Sequence, residues 1–262
     1  MPRSARARLL IACLVAVAGP TGVVMAQAPP LPQQPPTSQQ PLPPRPPSPQ
    51  PTPPPALRSP EPPPVEKLGE NRLRIGSIQV DLKTREITVP GAVNNAMVLE
   101  FVANTRGGFK AYESLLTLDT NAAGFNLALI MIGLDRARSV PPRRHFDPNP
   151  PQGDPVEVWV EWKEDAKTKK VRAEDLIYNA RKNETLPQGP WVYTGSVFVR
   201  DGRYLAELHG VLIGFVHTPA PIIENPSSNG VGGFGSFKLN PHVGLKPGTE
   251  ILLTVRALPL SP

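Results

Sequence analysis

Cysteine is almost absent. The 262-residue chain has one, Cys13, and it lies inside an apolar run near the start. If the chain is cleaved after Ala26, none remains, which excludes disulfides, thiol nucleophiles and cysteine-held zinc or iron–sulfur centres together. A long hydrophobic run is missing too. The stretch at residues 9–18 is half the roughly 20 apolar residues that a membrane-spanning helix needs. Nor does any segment concentrate Lys and Arg with interleaved aromatics, so nucleic-acid binding lacks its electrostatic footprint. The formal charge of +6 misleads, because Arg3, Arg6 and Arg8 supply half of it. The basic run at residues 163–172 is broken by Glu164 and Asp165 and reads as a solvated hairpin. There is no internal repeat.

What is present begins with a basic start, the apolar run and the Val24-Met25-Ala26 triplet before Gln27. That pattern predicts a secretory signal peptide at residues 1–26 and export to the periplasm or beyond. Leu10-Ile11-Ala12-Cys13 resembles a lipobox, so membrane association is expected only in transit, or by lipidation if Cys13 is used. Residues 27–65 are close to half proline, as in PPRPPSPQPTPPP. Such a segment cannot bury a core and favours an extended polyproline II path, so a disordered linker is expected. At about 3.1 Å per residue it would reach on the order of 100 Å, a spacer for whatever follows.

Residues 66–262 have ordinary globular composition, enough for one domain. Alternating runs recur: LRIGSIQVDL, REITVPG, AMVLEFVAN, VEVWVEW, WVYTGSVFVR, RYLAEL, VLIGFVHT and EILLTVRAL. Asp201-Gly202 is a two-residue turn signal and Lys83-Thr84 sits at a hairpin. NAAGFNLALIMIGL predicts a helix with Leu127, Ile130, Met131 and Leu134 on its apolar stripe, and AEDLIYNARK a shorter one. The expected class is α+β, a mainly antiparallel β-sheet with one or two short helices.

The segment GGFKAYESLLTLD holds the most chemistry per residue. Read as a strand from Lys110 to Asp119, it puts Lys110, Tyr112 and Ser114 on one face and Glu113 on the other. Lys110 and Ser114 would then lie about 13 Å apart, too far for a nucleophilic dyad. Glu113 and Glu100 each sit among apolar neighbours, where a carboxylate needs a partner; a buried ion pair is the structural reading and paired acid–base chemistry the functional one. Glu207 and His209, two apart on an expected strand, with His217 in phase on the next run, form a candidate metal set. His145 lies in the loop PPRRHFDPNPP beside Arg143 and Arg144, read as solvated. Gly230 to Gly235 matches a dinucleotide fingerprint on paper but has no strand before it or helix after it, so no nucleotide is expected.

Several blocks in order resemble the YdjY-like domain family of bacterial envelope proteins: Glu100 with KAYESLL, then NLALIMIGL, VEVWVEW, WVYTGSVF, YLAELHGVLIGFVHTPAPIIENPSS and PGTEILLTV. The resemblance implies no established activity. The family pattern often has histidine where this chain has Tyr112 and Asn126; if those histidines serve a site in relatives, the resemblance implies that this chain has lost both ligands or bases. Cysteine clusters of some relatives are missing as well. Lys110, Glu113, Trp191, Gly195 and Ser196 match the family motifs, although Gly195-Ser196 lacks the strand–turn–helix context of a nucleophile elbow. The expectation is a binding or assembly module of the cell envelope, without cofactor, whose partner is an envelope protein or wall polymer. The rival is a secreted hydrolase or group-transfer enzyme using Glu113, Glu100 and Lys110, with Ser196 as a further candidate. A third reading is metal carriage by Glu207, His209 and His217.

Overall fold

A computed structural model describes residues 61–260. The expected signal peptide, Cys13 and the linker as far as residue 60 lie outside the described residues. Chain order runs β1 (Val65–Lys67), β2 (Arg72–Ile75), β3 (Ile78–Asp81), β4 (Glu86–Val93), β5 (Phe101–Thr105), β6 (Ser114–Leu118) and α1 (Ala122–Met131). It continues with β7 (Asp154–Glu164), β8 (Lys167–Arg172), α2 (Ala173–Leu176), β9 (Ile177–Asn179), β10 (Glu184–Thr185) and β11 (Trp191–Tyr193). Then follow α3 (Leu205–His209), β12 (Val211–Gly214), β13 (Ile223–Glu224), β14 (Phe237–Leu239) and β15 (Glu250–Ala257). Among the described residues no helix is long and apolar enough to cross a membrane.

The domain is β-rich with few short helices, but its main sheet is not open. The order β4-β15-β7-β11-β13-β12-β5-β6 returns to β4, a closed barrel of eight strands. Two joins, β12–β13 and β5–β6, are parallel. The expectation of a simple antiparallel sheet is therefore corrected. Sequence alternation reports which face of a strand is apolar, and not whether the first and last strands of a sheet meet.

Alternation explains the strands well. On β4, Ile87 and Val89 are buried while the residues between them are partly exposed. Val255 of β15 pairs with Ile87 on one side and Val158 of β7 on the other, and Leu253 likewise joins Val89 to Val160. The barrel interior is thus built in layers of branched aliphatics, each contributing roughly 1.5–3 kcal/mol by leaving water. A flap of β1, β2 and β3 continues from β4, whose first residues pair with β3 and whose last pair with β6. The expected turns at Lys83-Thr84 and Asp201-Gly202 are present, Gly202 with φ +81°.

Three local expectations are corrected. RYLAEL is not a strand, since Leu205–His209 is helical and ends at Gly210 in the left-handed region. AEDLIYNARK holds only the short α2 before β9 begins. On α1, Asn121 caps the N-terminus by accepting from the Gly124 amide (2.7 Å), but only half of the expected stripe turns inward, Leu134 buried just past the helix and Leu127 packed against the core. Ala122, Phe125, Ala128 and Leu129 face the core, whereas Ile130 and Met131 are 46% and 39% exposed. The helix is apolar all round, so its periodicity carries no information about which face is inside.

Candidate functional site

β5 and β6 run parallel, with Phe101 opposite Ser114. One residue earlier, the Glu100 amide donates to the Glu113 carbonyl (2.9 Å), so the two glutamates lie side by side just ahead of neighbouring strands. Residues Ala111–Glu113 form a 3-10 turn rather than the expected start of a strand. That turn brings Lys110 and Glu113, three apart, onto one side. The Lys110 Nζ donates to Glu113 Oε1 (2.5 Å) and to the Tyr112 hydroxyl (3.3 Å). The Ser114 hydroxyl donates to the Lys110 carbonyl (2.8 Å), so no Ser–Lys dyad forms.

Burial and charge then set the protonation states. Glu100 is buried and its carboxyl is pushed above the ordinary range, first by burial and then by repulsion from Glu113, against the pull of His145 and Lys110. Burial alone would lower the Lys110 ammonium, but its hydrogen bonds to Glu113 and Tyr112 outweigh that and raise it. Lys110 therefore stays charged, which removes it as a base or nucleophile at neutral pH. His145 lies on the cluster with Nε2 3.4 Å from Glu100 Oε2 and its side chain half exposed. On the remaining side the loop seats on the α3–β12 turn, so closely that a Cβ on Gly210 would fall 2.4 Å from the Gly108 Cα. This brings His209 near Lys110; burial, then that positive charge, hold its imidazole below the usual value. Phe109 and Tyr112 stand out from the surface, 70% and 61% exposed, with their rings edge to face.

The loop carrying His145 is built, not merely solvated as expected. The Asp147 carboxylate accepts from the amides of Arg143 (2.8 Å) and Asn149 (3.0 Å), bonds that hold its carboxyl below the ordinary value. Its backbone carbonyl meets Nδ1 of the buried His217 (2.9 Å), whose Nε2 meets the Asn225 carbonyl (3.1 Å). His217 thus pins the loop. Glu207 lies on a helix, not a strand, and accepts from the Ala123 amide at the start of α1 (3.1 Å). Two apart on a helix, Glu207 and His209 point to different sides. Among the described residues no group of three His, Cys, Asp or Glu converges to hold a metal. Ser196 is fully buried at φ +57°, after Gly195 at φ +69°, and its hydroxyl donates to the Pro219 carbonyl (3.4 Å).

The family model of the YdjY domain matches residues 78–256. The chain belongs to the YdjY family. The match opens at β3 and ends one residue short of the end of β15, so it takes in the strands of the YdjY barrel up to Arg256 while β1 and β2 precede it. No curated protein and no solved structure matches the chain. Within the YdjY domain, the positions where the resemblance implies histidine are engaged otherwise: Tyr112 with Lys110, and Asn126 as acceptor of the Tyr193 hydroxyl (2.7 Å). Trp191 and Tyr193 are fully buried, as expected of core residues.

Sequence reasoning brought Glu100, Glu113 and Lys110 forward as candidates, and the fold gathers them. It missed His145, whose contact with Glu100 spans a crossover that no local pattern encodes. It also missed Glu224, a wholly buried glutamate whose carboxyl lies well above the ordinary value through burial. Its signal was a lone acid in the apolar stretch PIIEN.

Proposed function

We propose that this YdjY domain is a non-catalytic binding module of an exported protein, gripping an envelope polymer or envelope protein at the face around Lys110. The observation that carries the reading is the pairing of Lys110 with Glu113 between two exposed aromatic rings. The ammonium is charged, paired with Glu113 and fixed, so it orients the Phe109–Tyr112 platform rather than reacting. Exposed aromatic rings beside satisfied polar groups form contact surfaces that lose little entropy on binding. The N-terminal signal pattern and proline-rich spacer support an exported, tethered setting, and the reading needs no cofactor, nucleotide or nucleic acid.

A second reading has one observation in its favour. Glu100 and Glu113 immediately precede adjacent strands, and a carboxyl raised by burial and by a neighbouring carboxylate, as that of Glu100 is, is what hydrolytic acid–base pairs use. One experiment separates the two: sedimentation of the purified protein with insoluble envelope material, with soluble products assayed in parallel. The binding reading expects co-sedimentation at physiological salt, weakened at least tenfold by Phe109→Ala with Tyr112→Ala, and no product. Product release that Glu100→Gln abolishes would establish the enzyme instead. Neither binding nor product would end both.

A further inference from the structure

Residues 215–218, which leave β12 on the way to β13, are tied to three parts of the molecule at once. The Phe215 and Val216 amides donate to the Glu100 carbonyl (3.5 and 3.3 Å). The His217 ring meets the carbonyls of Asp147 (2.9 Å) and Asn225 (3.1 Å). The Thr218 amide donates to Glu224 Oε1 (3.2 Å). One short segment therefore joins a buried carboxyl on β13 to the loop that lays His145 on Glu100. We propose that Glu224 and this segment form a proton-operated latch: protonated Glu224 holds the 141–149 loop beside Glu100, and loss of that proton releases it.

The surroundings of Glu224 say which wall gives way. It is wholly buried, and its Oε2 has no hydrogen-bond partner among the described residues. A neutral acid tolerates that, whereas a carboxylate offers about four lone-pair sites and finds one amide to fill them. Water is the remedy, and it has one easy way in. Val192 of β11 and Gly214 of β12 flank Glu224 and are held in the strand ladder. The cover is residues 215–222, in which Pro219 and Pro221 have no N–H to bond and Thr218 and Pro219 are already partly exposed. Pro221 and Glu224 close on the same point of β12: a Cβ on Gly214 would fall 2.6 Å from Pro221 Cγ and 3.3 Å from Glu224 Oε1.

Val192 and Gly214 bring no charge to Glu224, and the cover brings only His217. Beyond it, at the far end of the latch, come Asp147, His145 and Glu100. Burial, opposed by the Thr218 bond, moves the Glu224 carboxyl upward. The latch is therefore closed below the folded-state value and opens above it. Lifting the cover takes the His217 ring from the Asp147 carbonyl. The loop keeps its own turn, through the Asp147 carboxylate and the amides of Arg143 and Asn149, but loses its anchor. His145 then leaves Glu100. The bearing of the latch on ligand binding rests on the binding reading; the latch itself does not.

Trypsin tests it on the full chain, because Arg143 and Arg144 are exposed and cleavage tracks the open population when opening and closing outrun it. Glu224→Gln keeps an acceptor for the Thr218 amide and cannot ionise; its circular dichroism spectrum at pH 6 should match the parent. Dividing the parent's rate by that of Glu224→Gln at each pH from 6 to 9 cancels the pH dependence of trypsin and of every other group. At Arg143 and Arg144 the ratio should rise at least threefold, and by no more than about tenfold per pH unit for one proton. At Arg181 and Lys182, exposed between β9 and β10, it should stay constant. In the parent alone, hydrogen exchange corrected for its intrinsic pH dependence should quicken with pH in residues 141–149 and 215–222 together, and not in β15. A rise of less than threefold, an equal rise at Arg181 and Lys182, or quickening in one of the two segments without the other overturns the proposal. None of these readouts involves an envelope ligand, so failure here is separate from failure of the binding reading.

Discussion

Glu224 is the sharpest handle on the energetics of the barrel. It sits on β13 with no exposed surface; Oε1 accepts from the Thr218 amide (3.2 Å) and Oε2 has no hydrogen-bond partner. Burial raises its carboxyl well above 4.5, the ordinary value, with the Thr218 bond a lesser opposing effect. Between 4.5 and the folded-state value, the native protein keeps a proton that the unfolded chain has released. The sign follows: this stability is present below 4.5 and is lost as pH rises through the window. One such proton is worth about 1.4 kcal/mol per pH unit. Glu224→Gln has nearly the shape of the protonated acid and never ionises. It should match the parent to within about 1 kcal/mol at pH 4 and become the more stable protein as pH rises. For a domain of this size, about 1.4 kcal/mol moves the melting temperature by roughly 3 to 6 °C, so the gap should widen by that much per pH unit across the window. Thermal unfolding of both proteins from pH 4 to 9 measures it. Glu100, also raised, titrates in both proteins and cancels in the difference. Curves that stay parallel would refute the idea that Glu224 is neutral in the folded state.

Arg172 reaches Glu157 (2.7 Å), the fully buried Glu174 (2.7 Å) and the Gly189 carbonyl (2.5 Å). Arg172→Ala strands the Glu174 charge and should cost about 3 to 5 kcal/mol in urea unfolding, with Arg172→Lys intermediate. Asp154 accepts from Arg138 Nε and Nη2 (2.6 Å each) and from the Asp135 amide (2.7 Å). The Arg138 bonds chiefly hold its carboxyl below the ordinary 3.8, so its contribution is present above that pH and lost as pH falls further. Asp154→Asn should cost about 1.5 to 3 kcal/mol at neutral pH and flatten the acid limb of the stability curve below about pH 4.

Much of the barrel wall is legible in the amino-acid sequence. REITVPG, VEVWVEW and EILLTVRAL alternate cleanly because one side of each meets the interior and the other does not. The joins were not legible. Two parallel neighbours cannot be told from two antiparallel ones by residue pattern, yet the β5–β6 pair is what sets Glu100 beside Glu113. The segment at Lys110 misled because a short 3-10 turn has no periodicity to announce it, and that turn converts the spacing of Lys110 and Glu113 from opposed to shared. The stripe on α1 misled for the opposite reason: it is apolar on every side, so tertiary contacts alone chose Phe125 and Ala128 over Ile130 and Met131.

The position of β15 in the ring bears on how the protein comes to be folded. It lies between β4 and β7, and of the barrel strands it is the last to leave the ribosome. Until it arrives, its two neighbours have no common partner and both offer open edges, which invite pairing with other chains. Assembly must therefore wait for contacts between residues far apart in sequence, a slow route. A polypeptide threaded outward head first would stay open to handling by chaperones until its tail had followed.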